Sequence, residues 1–170
     1  MSPSDFLTRC NPRAADGIVA SGVTAGQLAI NPYIPTLAQV ATVYGNSTAL
    51  LWLKVQIDNI DSTQGARYWD EMVVRDMARL ILAQYKDVNI SNMLQFFARY
   101  KLGEYHDRVS HIGGAQRLLA ALRLYSEALV DDVKRVQREE FYAQQAKQRE
   151  VWAARAITYE EYAARKEEFA

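Results

Sequence analysis

Cysteine occurs once in this 170-residue chain and histidine twice, neither sign of charge is in excess, and no apolar run approaches the ~20 residues that cross a bilayer. The lone Cys10 cannot close an intramolecular disulfide, which argues against a stapled secreted domain and for a reducing compartment. The opening Met-Ser-Pro-Ser-Asp has no basic stretch followed by an apolar one, so no signal peptide is read there. A cytoplasmic location with no membrane partner is expected. Twenty basic residues balance twenty acidic ones, so no global field draws the chain to nucleic acid; such binding would need a local patch.

Catalytic signatures are missing as well. His106 and His111 are five residues apart, on different sides of any helix, and with Glu104, Asp107 or Cys10 they make no zinc spacing. Cys10 lies in a proline-rich arm without a preorganised base to activate it. The adjacent acids at Asp131-Asp132, Glu139-Glu140, Glu160-Glu161 and Glu167-Glu168 point about 100° apart on a helix and cannot share one proton. Gly113-Gly114 precedes a helix that could receive a phosphate, yet no strand leads into it and no phosphate-loop pattern surrounds it. The expectation is a protein that is not an enzyme and takes no metal and no cofactor.

What the chain does have is helical periodicity. All four prolines and three of the eight glycines fall within residues 1–35, which reads as an irregular N-terminal arm with at most a helical turn over Thr24 to Ile30. From Thr36 the pattern changes. Thr36 and Gln39 have capping-box spacing, and a short helix should run to Tyr44 and stop at Gly45. Asn46 or Ser47 then caps a second helix with a stripe of Leu50, Leu53, Ile57 and Ile60, ending near Asn59 to Asp61. A third is expected over 64–85, capped by Asp61, Ser62 or Thr63, with Trp69, Val73, Met77 and Leu80 or Ile81 inside. A fourth begins at Asn89 or Ser91, runs through Met93, Leu94, Phe97 and Tyr100, and closes at Leu102-Gly103.

After a loop over Tyr105 to Ser110, a long helix should start near Gly113-Gly114, with Leu118, Leu122, Tyr125, Leu129, Val133 and Val136 on its apolar face. Beyond Val136 glutamine and charge dominate. Unbroken to Ala156, the helix would be about 60 Å long at 1.5 Å per residue. Thr158 and Glu161 make another capping box, with Ile157 and Tyr162 as its hydrophobic staple, for a last short helix. The fold expected is all-α: a compact bundle of about five helices with a long, partly protruding C-terminal helix. The divisions are an irregular arm (1–35), a helical core domain (36–136) and a charged helical extension (137–170).

Two surfaces could carry function. Between Arg99 and Arg123, five basic residues (Arg99, Lys101, Arg108, Arg117, Arg123) oppose only Glu104 and Asp107, with Tyr100, Tyr105 and both histidines interleaved. Cations that neutralise phosphates and rings that stack on bases are what a single-strand-binding surface uses, so Arg99, Tyr100, Lys101, Tyr105, Arg108 and Arg117 are the nucleic-acid candidates. The same tyrosines suit a core equally well. The second surface is Val136, Phe141, Tyr142, Val151 and Trp152, aromatic and aliphatic anchors on a charged helix of the kind that docks in a groove or on another helix.

The stretches Ile34 to Val40, Leu51 to Ile60 and Tyr85 to Tyr105, in that order, resemble a group of small helical proteins from gut Bacteroidales and their phages and mobile elements. The resemblance covers about Ile34 to Glu140, and the glycine-containing arm and the charged extension depart from it. Some members of that group look like helicase-loader or primosome accessory proteins. The resemblance therefore implies an adaptor for a protein partner such as a replicative helicase, and supplies no catalytic residues. Three readings remain: a non-enzymatic adaptor, a structural or virion-associated protein that self-associates through its C-terminal helix, and a single-strand nucleic-acid binder.

Overall fold

The computed structural model describes residues 2–63, 69–156 and 162. Among them are nine α-helices and no strand, so the all-α class holds while the expected count of about five does not. The chain divides into two compact units, Met1–Lys134 and Arg135–Ala170.

In the first unit the segment expected to be irregular holds three short helices: α1 (Pro3–Arg9), α2 (Ala14–Ala20) and α3 (Ala25–Ala29). Their prolines lie at a helix start or between helices and Gly22 at a turn, where a missing N-H or a flexible backbone costs least, while Gly17 sits inside α2 and Gly26 in the first turn of α3. Capping boxes open α1 (Ser2 with Asp5) and α3 (Thr24 with Gln27). Side chains of later helices then pin the arm. Trp52 Nε1 and Gln56 Nε2 both donate to the Cys10 carbonyl, at 2.6 and 3.1 Å, holding the end of α1. Phe6 is buried, stacked on Tyr44 and tilted against Trp52.

Helix α4 (Leu37–Tyr44) opens on the expected Thr36 and Gln39 capping box and ends at Gly45, whose φ of 92° favours glycine. Two of its orphan N-H groups, Leu37 and Ala38, donate to the carbonyls of Val88 and Lys86, so the start of α4 lies beside the start of α7 (Ile90–Lys101). Helix α5 (Asn46–Thr63) runs past its expected end near Asn59 to Asp61. It buries Ala49, Trp52, Leu53, Gln56, Ile57 and Ile60.

Helix α6 is Glu71–Gln84, capped by Asp70, which accepts from the Val73 N-H; the expected start at Gln64 lies outside the described residues. Its buried line is Val74, Met77, Ala78 and Ile81, with Leu80 exposed. That line turns the helix by about one residue from the expected stripe and places the small Ala78 where α6 meets the core.

Helix α7 is central. Asn92 through Ala98 are all buried, so this helix is covered all round rather than on one face. Its buried amides form a ladder onto the arm: Asn89, Asn92 and Gln95 donate to the carbonyls of Leu28, Ala25 and Val23, at 2.7, 2.9 and 3.1 Å. A five-residue helix such as α3 leaves most of its carbonyls without intrahelical partners, and this ladder satisfies two of them. The Tyr125 hydroxyl accepts from Asn92 Nδ2 at 3.0 Å and donates to Gln95 Oε1 at 3.1 Å. Burial holds the Tyr125 phenol protonated well above the usual tyrosine range.

A four-residue helix, α8 (His106–Val109), occupies the expected loop and buries Val109. Helix α9 (Gly114–Arg155) follows, 42 residues without a break. Leu118, Ala121, Leu122 and Tyr125 join the core of the first unit. In the second unit the described residues are 135–156, which carry the end of α9, and 162. Of the expected last helix only Tyr162 is described, as helical and exposed; the Thr158 capping box lies outside the described residues.

Candidate functional site

The end of α7, the α8 turn and the start of α9 meet around a pocket of about 290 Å³ lined by Tyr100, Lys101, Gly103, Tyr105, His106, Val109 and Arg117. Leu102 ends α7 and Gly103 turns the chain with φ of 81°, a conformation that favours glycine. Arg117 fixes the other side: its Nε donates to the Ile112 carbonyl at 2.9 Å and its Nη2 to the Ser110 carbonyl at 3.2 Å, tying the loop before α9 to the first turn of that helix.

Four of the six nucleic-acid candidates therefore share one pocket, in unequal states. Tyr105 is buried against Phe96, ring centroids 5.8 Å apart, and is a core ring more than a stacking platform. Burial pushes its phenol up, opposed by the charge of Arg99. Tyr100 is half-buried; burial raises its phenol too, with the Arg117 guanidinium pulling it partly back. Lys101 is half-buried and donates to Asn59 Oδ1 at 3.1 Å. The remaining two candidates do not line the pocket: Arg99 is ion-paired with Glu104 at 3.8 Å, and Arg108 is exposed. Among the described residues no group of three histidine, cysteine, aspartate or glutamate side chains is placed to hold a metal. No helix there is long and apolar enough to cross a membrane.

In the second unit, the α9 segment from Arg135 is rich in glutamine, alanine and charge, all compatible with helix, and Arg135 pairs with Glu139 one turn away at 3.4 Å. Phe141 and Trp152 are separated by three helical turns and so lie on one face, with Gln145 and Gln148 between them on the same line. Tyr142 and Val151 lie beside that line. All four large apolar residues are exposed: 55% for Phe141, 64% for Tyr142, 48% for Val151 and 62% for Trp152. Val136, grouped with them in sequence, is buried and drops out of the exposed face.

The profile of a family of unknown function, DUF6633, matches residues 72–168, more than half of the chain. The chain belongs to the DUF6633 family. No curated protein and no solved structure matches it. The matched span of this DUF6633 member starts at α6 and takes in both the α7–α9 pocket and the exposed aromatic face; the arm with α1 to α5 lies outside it.

Sequence reasoning missed two features of this DUF6633 chain. One is a second pocket, of about 510 Å³, between α1 and α4, lined mainly by apolar groups such as Phe6, Ile34, Val40, Val43 and Tyr44. Nothing in the sequence pairs Phe6 with Tyr44 until the arm is known to fold. The other is the place of His106, counted in the basic stretch but left out of its candidates, which lines the cationic pocket. Its closeness in sequence to Tyr105 and Lys101 was the available signal.

Proposed function

We propose that this protein is a non-enzymatic helical adaptor that docks a protein partner on the aromatic face of residues 135–155. The exposure of Phe141, Tyr142, Val151 and Trp152 supports this reading most. Single exposed apolar residues are normal, but Phe141 and Trp152 on one line of a charged helix, with Tyr142 and Val151 on either side of it, have the composition of interface anchors among polar groups. On the resemblance over residues 34–140, we further propose a replication protein of a phage or mobile element, such as a replicative helicase, as the partner.

The rival occupant of that face is a second copy of the same chain in an open assembly. Sedimentation velocity on the full chain over a wide concentration range separates the two. The adaptor reading expects one small species, monomer or dimer, whose size does not grow with concentration. A continuous shift to large species would replace it with self-assembly.

A further inference from the structure

We infer that the pocket between α7, α8 and α9 is an oxyanion site that takes the phosphate group of a small molecule, with Lys101 and Arg117 as its two cationic contacts. This goes beyond the adaptor reading and does not depend on it.

The observation that singles out these residues is their lack of counter-ions. Among the described residues of the first unit, four cationic side chains are half-buried: Lys54, Arg99, Lys101 and Arg117. Lys54 is paired with Glu71 at 2.7 Å and Arg99 with Glu104 at 3.8 Å. Among the described residues Lys101 and Arg117 have no carboxylate in ion-pairing range, and both line the same pocket. Partly withdrawing a cation from water is costly unless an opposite charge compensates. Two such groups facing one cavity, with no acid lining it, mark a place where the compensating charge arrives from outside.

The remaining donors fit an oxyanion. A guanidinium has five N-H donors, of which the Ile112 and Ser110 carbonyls take only two, and an ammonium has three, of which Asn59 takes one. Those two loop bonds also hold the guanidinium in place, so little side-chain freedom is lost on binding. The Tyr100 hydroxyl, on the pocket wall, makes no hydrogen bond within the described residues and supplies a neutral donor beside Arg117. At about 290 Å³ the space accommodates a phosphate with a small attached group and is too small to enclose a drug-sized ligand. Inorganic phosphate and a nucleoside monophosphate, whose sugar and base would lie at the pocket mouth, are the two sources of that chemistry.

Isothermal titration of the full chain with inorganic phosphate and, separately, with adenosine 5′-monophosphate tests the inference. Saturable binding of at least one ligand is expected, weakening as salt is raised. Equal affinities indicate free phosphate, and a clear preference for the nucleotide indicates that the attached group is also recognised. Lys101→Met should weaken binding about tenfold or more by removing a charge-assisted contact. Arg117→Gln should do the same, and Arg108→Ala, an exposed cation outside the pocket, should leave it within about twofold. Because Arg117 also ties the loop before α9, Lys101→Met decides the matter if Arg117→Gln fails to fold. No binding of either ligand at millimolar concentration, or binding that Lys101→Met leaves intact, would overturn the proposal.

Discussion

Phe96→Ala should destabilise the first unit by about 3–5 kcal/mol, the usual cost of emptying a large aromatic site in a well-packed core. Phe96 is fully buried at the centre of a ring cluster, with centroids 5.3 Å from Phe97, 6.1 Å from Tyr100, 5.8 Å from Tyr105 and 5.6 Å from Tyr125. Those partners come from α7, the loop after it and α9, so no one of them can move into the space without unseating another element. Chemical denaturation monitored by circular dichroism would read the loss as a lower midpoint. Leu102→Ala, at a site 69% exposed, is the control and should change stability by less than about 0.5 kcal/mol. A Phe96→Ala loss no larger than the control's would mean that the cluster does not hold the α7–α9 junction. Tyr100 and Tyr105 line the cationic pocket from the same cluster, so the core that Phe96 anchors also shapes the site.

Asn92→Leu should cost about 2–3 kcal/mol although it replaces a buried amide by an apolar side chain of similar size. Hydrophobicity alone predicts a gain. The loss arises because Asn92 Nδ2 is the donor to the Ala25 carbonyl and to the Tyr125 hydroxyl, and both remain buried without it. Its own Oδ1 has no partner, so the net effect falls below that of a fully bonded amide. Tyr125→Phe should cost less in the Asn92→Leu background than in wild type, because the Asn92–Tyr125 bond is already gone there while the bond from Tyr125 to Gln95 Oε1 is lost in both. Denaturant midpoints for the two single variants and the double variant measure that coupling. Strict additivity would mean that the Asn92–Tyr125 hydrogen bond contributes nothing to stability.

The sequence carried the helices with local punctuation. Thr36 with Gln39, Gly45, Asn89 and the Leu102-Gly103 pair mark ends in the structure where they mark them in the sequence, because a cap acts over three or four residues. What escaped was set by contacts distant in sequence. The arm reads as irregular from its prolines and glycines, and the bonds that hold it come from Trp52, Gln56, Asn89, Asn92 and Gln95, as far as 72 residues away. Asn89, Asn92 and Gln95, at a spacing of three along α7 and its cap, look like a solvated face until α3 and the turn before it are seen to supply their acceptors. The site divides in the same way. A local excess of basic residues identified the right stretch, but pairing with Glu104 removes Arg99 from it and burial turns Tyr105 into core. The absence of counter-ions at Lys101 and Arg117 is a property of three-dimensional placement alone.

The adaptor reading makes one demand that self-assembly and nucleic-acid binding do not: a specific protein must be held by Phe141 and Trp152. The direct measurement is affinity capture from a lysate of cells that carry the gene, with wild type and the Phe141→Ser, Trp152→Ser double variant side by side, followed by reconstitution of any captured pair from purified components. Both substitutions are at exposed positions and should leave the helical circular dichroism signal unchanged. The account predicts one partner retained by wild type, lost with the double variant and rebound in the purified system. Recovery of the chain alone, or of the same proteins with both versions, would contradict it.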